Sequence, residues 1–366
     1  MLDMRKKSWF IGFALAISAV ANAQWQLQDS HTTADLRGIH NVGGGAAWAS
    51  GTNGTVLRTL DGGDNWQACA VPPGAEHLDF RGVQAFDANM AIVMSSGKGD
   101  LSRLYKTTDG CRTWKLVFTN PDSPDGFFDC IWLHPTGYGI LLGDPVKNRF
   151  VVLETADGGG TWKRDIYRGL SIKGSPIAAF AASNSLFSQF RNGYMRGFVT
   201  GGQGGAFLIS RFAGSRWIKM RIPVASGTES SGVFSLGYRF TMARCADCIH
   251  PSDNTFVAVG GDYLKPNESS GTAAHSQDFG ESWIPSEIPP HGYRSAVAYD
   301  DAMRAWITVG PNGTDVSTDD GKNWRAVRPD AALHEAPDAD RNWNALSPPF
   351  IVGPKGRIGK LDRTHF

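Results

Sequence analysis

The chain has 366 residues, with 36 Lys and Arg against 35 Asp and Glu, so its formal net charge is only +1. This balance gives no bulk electrostatic reason to expect nucleic acid or an anionic membrane surface as a partner. The 44 glycines, the 12 tryptophans and the lack of a long amphipathic helical pattern predict an all-β chain with many tight turns.

Residues 1–23 have the pattern of a secretory signal peptide. Residues 5–7 give a basic start, a short apolar run follows, and small residues precede a cleavage site after Ala23. The apolar run, residues 9–20, is too short to span a bilayer. No Cys follows the cleavage site, where a lipid anchor would be attached. We therefore expect a periplasmic or secreted mature protein with no membrane span.

A nine-residue motif then recurs along the chain. Its first copy, RTLDGGDNW, ends at Trp66 and carries Thr59, Asp61 and two glycines at fixed offsets. This is the BNR or Asp-box pattern, in which the carboxylate accepts backbone N–H groups of a β-hairpin turn and the Trp packs over the hairpin. A degenerate copy has Phe212 at the Asp position. The full copies contain Asp61 and Trp66, Asp109 and Trp114, Asp157 and Trp162, Asp278 and Trp283, and Asp319 and Trp324.

An apolar run that ends in Gly precedes each box. A seventh run without a box follows, and the spacing of 43 to 59 residues is that of four-stranded propeller blades. The segment that begins at Trp25 resembles the one after the first box, so it can supply the outer strand of the last blade. We predict one closed seven-bladed β-propeller over residues 24–366. The run-ending glycines are Gly51, Gly97, Gly143, Gly201, Gly260, Gly310 and Gly353.

These features together resemble a known family. The boxes, the FRGV sequence at residues 80–83 and the signal peptide are similar to the photosystem II stability/assembly-factor family of seven-bladed propellers. The resemblance covers nearly the whole mature chain and implies a non-catalytic protein-binding role. The chain departs from the pattern at Phe212, at Cys111 in the second box, and in long segments of blades 4 and 5.

Arginines recur where the innermost strands are expected to begin. Counting back from the run-ending glycines gives an arginine in five blades, whereas blade 3 has Asp129 there. Because those five blades are contiguous in a closed ring, we predict an arc of arginines around one mouth of the central channel. Its members are Arg37, Arg81, Arg244, Arg294 and Arg341.

Two interpretations of this arc stay open. Clustered guanidinium groups repel one another, so they indicate either an anionic ligand or internal acidic partners. Asp79 stands two residues before Arg81, and several acids precede Arg341, which favours internal pairing. The connection over residues 227–240 should reach the same mouth. Its Phe234 and Tyr238 would then give the arginines an apolar neighbour.

A glycoside hydrolase is the alternative function, because Asp-box propellers include sialidases. A glycosidase needs two carboxyl groups, or a Tyr nucleophile with acid and base partners, around the channel. Asp129, Asp247 and Tyr238 are candidates, but no spacing selects a pair. The RIP motif at Arg221 follows the fourth box and fits an ordinary fourth strand.

Metal and redox chemistry find little support in the sequence. Single box carboxylates on separate blades cannot assemble the six or more oxygens that Ca²⁺ requires. Cys245 and Cys248 fit buried thiols or a local disulfide, and Cys69 with Cys111 is a possible link between blades. We therefore hypothesise an exported, monomeric, non-catalytic propeller without metal or cofactor. Its partner would be another exported or membrane protein with an acidic segment, and not nucleic acid.

Overall fold

Seven four-stranded antiparallel sheets make up the described part of the chain. The computed structural model describes residues 24–190, 195–244, 249–331 and 335–363, except for the side chains of residues 241–253. In six sheets the strands follow chain order, and in the seventh the order is β26, β27, β28 and β1.

The strands occupy four positions in each blade. The inner strands are β2 (Leu36–Gly43), β6 (Phe80–Ala85), β10 (Phe128–Leu133), β14 (Phe187–Phe190), β18 (Ser231–Arg244), β22 (Ala296–Asp300) and β26 (Ala345–Ser347). The second strands are β3 (Ala46–Gly51), β7 (Ala91–Ser95), β11 (Gly139–Val146), β15 (Met195–Val199), β19 (Ile249–Asp262), β23 (Ala305–Gly310) and β27 (Phe350–Val352). The third strands are β4 (Val56–Thr59), β8 (Arg103–Thr107), β12 (Arg149–Thr155), β16 (Phe207–Phe212), β20 (Ala273–Ser276), β24 (Gly313–Ser317) and β28 (Ile358–Asp362). The outer strands are β5 (Gln67–Ala68), β9 (Lys115–Thr119), β13 (Lys163–Arg164), β17 (Ile218–Arg221), β21 (Ile284–Pro285), β25 (Arg325–Val327) and β1 (Gln24–Gln28).

The ring is closed by the first strand of the described chain. Strand β1 pairs antiparallel with β28, from Gln24 opposite Asp362 to Gln28 opposite Ile358. Inner strands of successive blades contact one another around the whole ring, including β26 with β2. This closure covers the edge of β28, which would otherwise be the unpaired outer edge of the last blade. The prediction of a seven-bladed propeller whose last blade is completed by the N-terminal strand is confirmed.

The core lies between the blades, where their sheet faces meet. All six residues of β3 and all six of β23 are buried. Because each second strand is covered on both faces, its sequence reads as a continuous apolar run instead of an alternating one. Trp48 and Trp306 are fully buried in these strands and fill the space between neighbouring sheets.

The box carboxylates are satisfied within their own turns. Asn65 donates to Asp61 through both its backbone N and its Nδ2, at 2.9 and 2.8 Å, and Thr59 donates through Oγ1 at 2.8 Å. The backbone N of Gly63 donates in turn to Thr59 Oγ1 at 2.9 Å. These bonds, led by those from Asn65, lower the pKa of Asp61 to about 2. The turns join third to outer strands, at the circumference.

A disulfide joins blades 1 and 2. Cys69, which follows β5, is bonded to Cys111 in the second box turn, with a Cα–Cα distance of 5.3 Å. Cys111 therefore replaces a box glycine with a covalent link, and it adopts a φ of 63° there. Cys130 is free and buried on β10. Cys245 and Cys248 lie outside the described residues.

Candidate functional site

A cavity of about 470 Å³ lies at the end of the ring where the inner strands begin. Residues from all seven blades or their entry loops line it, which places it on the ring axis. We call this cavity the mouth. It is lined by Arg37, Arg81, Phe127, Asp129, Asp144, Ala179, Phe180, Ala181, Ala182, Phe234, Tyr263, Tyr293, Ser295, Pro311, Trp343 and Asn344.

Four inner strands place one extra residue at the mouth. In β2, Leu36 and Gly38 pair with consecutive residues of β3, so the residue between them has no partner of its own. The same irregularity occurs in β6, β10 and β18. Such β-bulges redirect a side chain away from the pleat. The four bulged residues are Arg37, Arg81, Asp129 and Phe234, and all of them line the mouth.

Arg37 and Arg81 share one carboxylate. Arg81 Nε donates to Asp79 Oδ2 at 2.8 Å, whereas Arg37 Nε lies 3.9 Å from Asp79 Oδ1. Arg81 Nη1 also donates to the Ala181 carbonyl at 3.2 Å. Arg37 Nε is buried without a hydrogen-bond partner. Both guanidinium side chains remain about one third exposed, at 31% and 32%. Two positive charges therefore stand at the mouth beside one carboxylate.

Arg294 lies inside the protein instead of at the mouth. Its side chain is fully buried, its Nε donates to Asp315 Oδ2 at 2.8 Å, and its Nη1 donates to Asn312 Oδ1 at 2.5 Å. Its backbone N donates to Gly260 O, as the N of Leu36 donates to Gly353 O in the first blade. Arg294 thus corresponds to Leu36, one residue earlier than Arg37. A shift of one residue turns the side chain to the other face of the strand.

Arg244 lies at the far end of its blade. The inner strand of blade 5 was expected to begin at Arg244, but that strand is β18, which ends there. Gly260 is opposite Val233, and Arg244 pairs with Ile249 at the hairpin end. Arg244 stands eleven positions after Val233, a distance of about 35 Å in an extended strand. The inner-strand residue of blade 5 that lines the mouth is therefore Phe234.

Arg341 lies before β26 and does not line the mouth. Its side chain is 44% exposed, and its Nε donates to Asp340 Oδ1 at 3.3 Å. The mouth positions of blades 6 and 7 are Ser295 and Asn344. Of the five arginines predicted to form an arc, only Arg37 and Arg81 come together at the mouth.

Two carboxyl groups of blade 3 also face the mouth. Asp129 is 1% exposed, and its Oδ2 is buried with no hydrogen-bond partner. Burial, then the charge of Asp144, raises the pKa of Asp129 well above its usual range, against the influence of Arg81. Burial raises the pKa of Asp144 to about 6, although its Oδ1 accepts a bond from the Ala179 N at 3.2 Å. Asp144 was missed in the sequence, although it directly follows the run-ending Gly143.

Aromatic side chains line the side of the mouth formed by blades 4 to 6. Phe234 stacks on Phe180 with ring centroids 4.0 Å apart and meets Tyr293 edge to face at 4.8 Å. Phe234 is only 3% exposed, so it belongs to this cluster and does not project as an exposed anchor. Tyr263, at 48% exposure, forms the outer edge of the cluster. The mouth thus has a charged side and an aromatic side.

Tyr238 lies in a different cavity from Phe234. This second cavity, of about 430 Å³, is formed where β10 and β14 end, at the opposite end of the ring. Tyr238 stands four positions after Phe234 along β18, which carries its ring away from the mouth. The second cavity is lined by Trp132, His134, Thr136, Tyr138, Gln189, Phe190, Tyr238 and Phe240.

The candidate glycosidase residues are not assembled into one site. Asp129 lines the mouth, Tyr238 lines the opposite cavity, and Asp247 lies outside the described residues. Arg221 ends the outer strand β17, as expected for an ordinary fourth strand. Within the described ranges, no group of three or more His, Cys, Asp or Glu side chains is placed to hold a metal ion.

Comparisons with known proteins agree with the fold. No family model matches the chain. It is 21% identical over 317 residues to the photosystem II assembly lipoprotein Ycf48 of Synechococcus sp. (strain CC9902), covering 84% of this chain and 80% of that protein. A structure of YCF48 bound to D1 peptide matches with a TM-score of 0.61 at 18% identity, over 94% of this chain and 99% of the other. A structure of YCF48 from Cyanidioschyzon merolae matches with a TM-score of 0.56 at 19% identity, over 93% of this chain and 99% of the other.

The predicted resemblance to photosystem II assembly-factor propellers is thereby confirmed. An ancestral GH74 enzyme also matches, with a TM-score of 0.54 at 12% identity, but the matched part is 41% of that chain, and the likeness extends to the fold alone. In the parts of the chain that the structure describes, no helix is long and apolar enough to cross a membrane.

Proposed function

We propose that this protein is an exported, non-catalytic propeller whose mouth binds an acidic segment of another exported or membrane protein. The observation that carries the proposal is the pair Arg37 and Arg81, which share Asp79 at the edge of a cavity on the ring axis. One chain supplies the whole cavity, so a monomer is sufficient for binding.

The charge balance of this pair favours an anionic ligand. Arg37 and Arg81 share one carboxylate through ion pairs, which leaves one positive charge in this group of three, and Arg37 Nε lacks a hydrogen-bond partner. A carboxylate of the partner would accept charge-assisted bonds from both arginines and offset their mutual repulsion. The partly exposed side chains require little reorganisation to receive it.

The related proteins support a peptide ligand over a glycan. The sequence relative is an assembly lipoprotein, and one matching solved structure holds a D1 peptide. A role as an assembly or stability factor follows by analogy, and the signal-like pattern of residues 1–23 supports export. A glycoside hydrolase is the weaker alternative, because Asp129 and Tyr238 open into different cavities.

The experiment is selection from a display library of random twelve-residue peptides on wild-type protein. We expect enrichment of Asp and Glu, and fluorescence polarisation of the selected peptides should show 10- to 100-fold weaker binding by the Arg37→Glu/Arg81→Glu variant. Binding should also weaken as salt is raised, because the contact is electrostatic.

The control is Arg216→Glu, a charge reversal at an exposed residue in the fourth turn, far from the mouth. It should bind like the wild type. Peptides without acidic enrichment, or equal binding by the double variant, would show that the mouth arginines are not the site.

A further inference from the structure

The carboxyl pair of blade 3 is not explained by an acidic ligand. An acidic segment bound by Arg37 and Arg81 would be repelled by ionised Asp129 and Asp144, which line the same cavity. Leaving Asp129 Oδ2 buried and unpartnered costs folding free energy. Arg81 does not satisfy it, because its described bonds go to Asp79 and to the Ala181 carbonyl. A ligand group that donates to Asp129 would remove this cost.

The donor that fits is a primary ammonium group. It carries three N–H donors and a compact charge on a flexible stem, so it can donate to two carboxyls that line the same cavity. A Ca²⁺ ion would need six to eight oxygens. Two carboxyls, one of which already accepts from the Ala179 N, supply too few. The bulge at Asp129 points its carboxyl into the mouth, which is where such a group would arrive.

We propose that the mouth recognises a peptide segment of mixed charge, with a carboxylate held by Arg37 and Arg81 and a lysine ammonium held by Asp129 and Asp144. This inference rests on the proposed function, because it takes the same mouth to be a peptide site. The aromatic cluster of Phe180, Phe234 and Tyr293 faces the rest of the segment and suits an apolar side chain next to the charges.

Proton release should accompany binding. Asp129 and Asp144 hold their protons more tightly than ordinary carboxyls, because burial raises the pKa of both. An arriving ammonium favours the ionised forms, so its affinity should increase as the pH rises through about 6, the pKa of Asp144. The other charged or titratable side chains that line the mouth or pair with its arginines are Arg37, Arg81, Asp79, Tyr263 and Tyr293. Histidine does not occur among the described lining residues, so none titrates there near neutral pH.

The selected peptides should contain Lys as well as Asp or Glu, and tight-binding peptides without Lys would overturn the inference. Each Lys-containing peptide is made in three versions: unchanged, with Lys replaced by acetyl-lysine, and with its acidic residue replaced by Gln. The mature protein is compared with Asp129→Asn and Asp144→Asn, which keep the side-chain shapes. Each Asn variant should lose about tenfold in affinity for the unchanged peptide and little for the acetylated one. Wild-type binding of the unchanged peptide should strengthen from pH 5 to pH 7.5, and that of the acetylated peptide should not.

The outcomes separate this inference from the proposed function. If Arg37→Glu/Arg81→Glu abolishes binding but acetylation and the Asn variants have no effect, the ammonium site is wrong and the acidic-segment site stands. If the arginine variant binds normally, both are wrong. Hydrolysis of any member of a glycan panel by the wild type but not by the Asn variants would assign the two carboxyls to catalysis and overturn the inference.

Discussion

Aspartates at the circumference and aspartates at the mouth lie in opposite environments. Asp61 in the first box accepts bonds from Asn65 and Thr59, and its pKa is lowered to about 2. Asp129 is buried with an unpartnered oxygen, and its pKa is raised. Carboxyls of the first kind stabilise a turn and are complete without a ligand. Those of the second kind destabilise the free protein, as we expect of groups that serve the proposed binding site instead of the scaffold.

The largest expected change in the free energy of unfolding comes from replacing a box tryptophan. Trp66 is 3% exposed, its Nε1 donates to Gln28 Oε1 at 2.9 Å, and its ring meets Phe350 edge to face at 5.6 Å. Trp66→Ala should lower the free energy of unfolding by about 3–5 kcal/mol, measured by urea denaturation. The control Ile166→Ala, at a residue 87% exposed, should change little. A loss below about 1 kcal/mol for Trp66→Ala would mean that the box does not hold blades 1 and 7 together.

A substitution at the mouth is expected to increase the free energy of unfolding, by an intermediate amount. The pKa of Asp144 is raised from 3.8 to about 6, so the folded protein binds the proton more tightly and becomes less stable as the pH rises through this interval. Asp144→Asn removes that loss and can still accept from the Ala179 N. It should stabilise the protein by up to about 3 kcal/mol at pH 7.5 and by nothing near pH 3.5.

Thermal denaturation across that pH range measures this effect. Asp301→Asn, at an exposed residue away from the mouth, is the matched control and should leave stability unchanged. Destabilisation by Asp144→Asn at pH 7.5 would show that the mouth carboxyl is part of the scaffold, like those of the boxes.

The smallest change in the free energy of unfolding is expected from replacing a box aspartate. Burial alone would raise the pKa of Asp278, but bonds from Ser282 and Ser276 outweigh it and hold that pKa below its usual range. The stability from these bonds is present above pH 4 and is lost as the pH falls further. Asp278→Asn should therefore destabilise by about 1 kcal/mol at pH 7, and the difference should shrink in acid. An unchanged or increased difference at pH 3 would contradict this origin.

The fold could be predicted because its signals are local and repeated. Each box needs only a turn, a carboxylate and a Trp, and each second strand is an uninterrupted apolar run. Closure by β1 could be predicted because the segment from Trp25 resembles the one after the first box. These patterns involve residues that are close together in the sequence, within one hairpin, so they can be recognised in a single sequence.

The mouth was harder to predict because its residues are fixed by register. Counting back from Gly260 to Arg244 is valid only for a hairpin of ordinary length. Strands β18 and β19 are both 14 residues long, so Arg244 lies at the end of β18 that is remote from the mouth. In blade 6, counting back from Gly310 gives a position one residue too early. Arg294 therefore faces the core instead of the mouth. At Arg37 and Arg81 the count was right, because those blades share a short hairpin and the same bulge.

The seam between β1 and β28 has a consequence for how the chain folds. The two strands lie at opposite ends of the described residues, and Gln24 must pair with Asp362 for the ring to close. Strand β1 precedes every other described strand in the chain, yet its partner β28 is the last of them. Before β28 is in place, β1 lacks its partner, and an unpaired strand is a template for mispairing with other chains. Closing the ring therefore requires two strands far apart in sequence to pair, and we expect this long-range contact to slow folding.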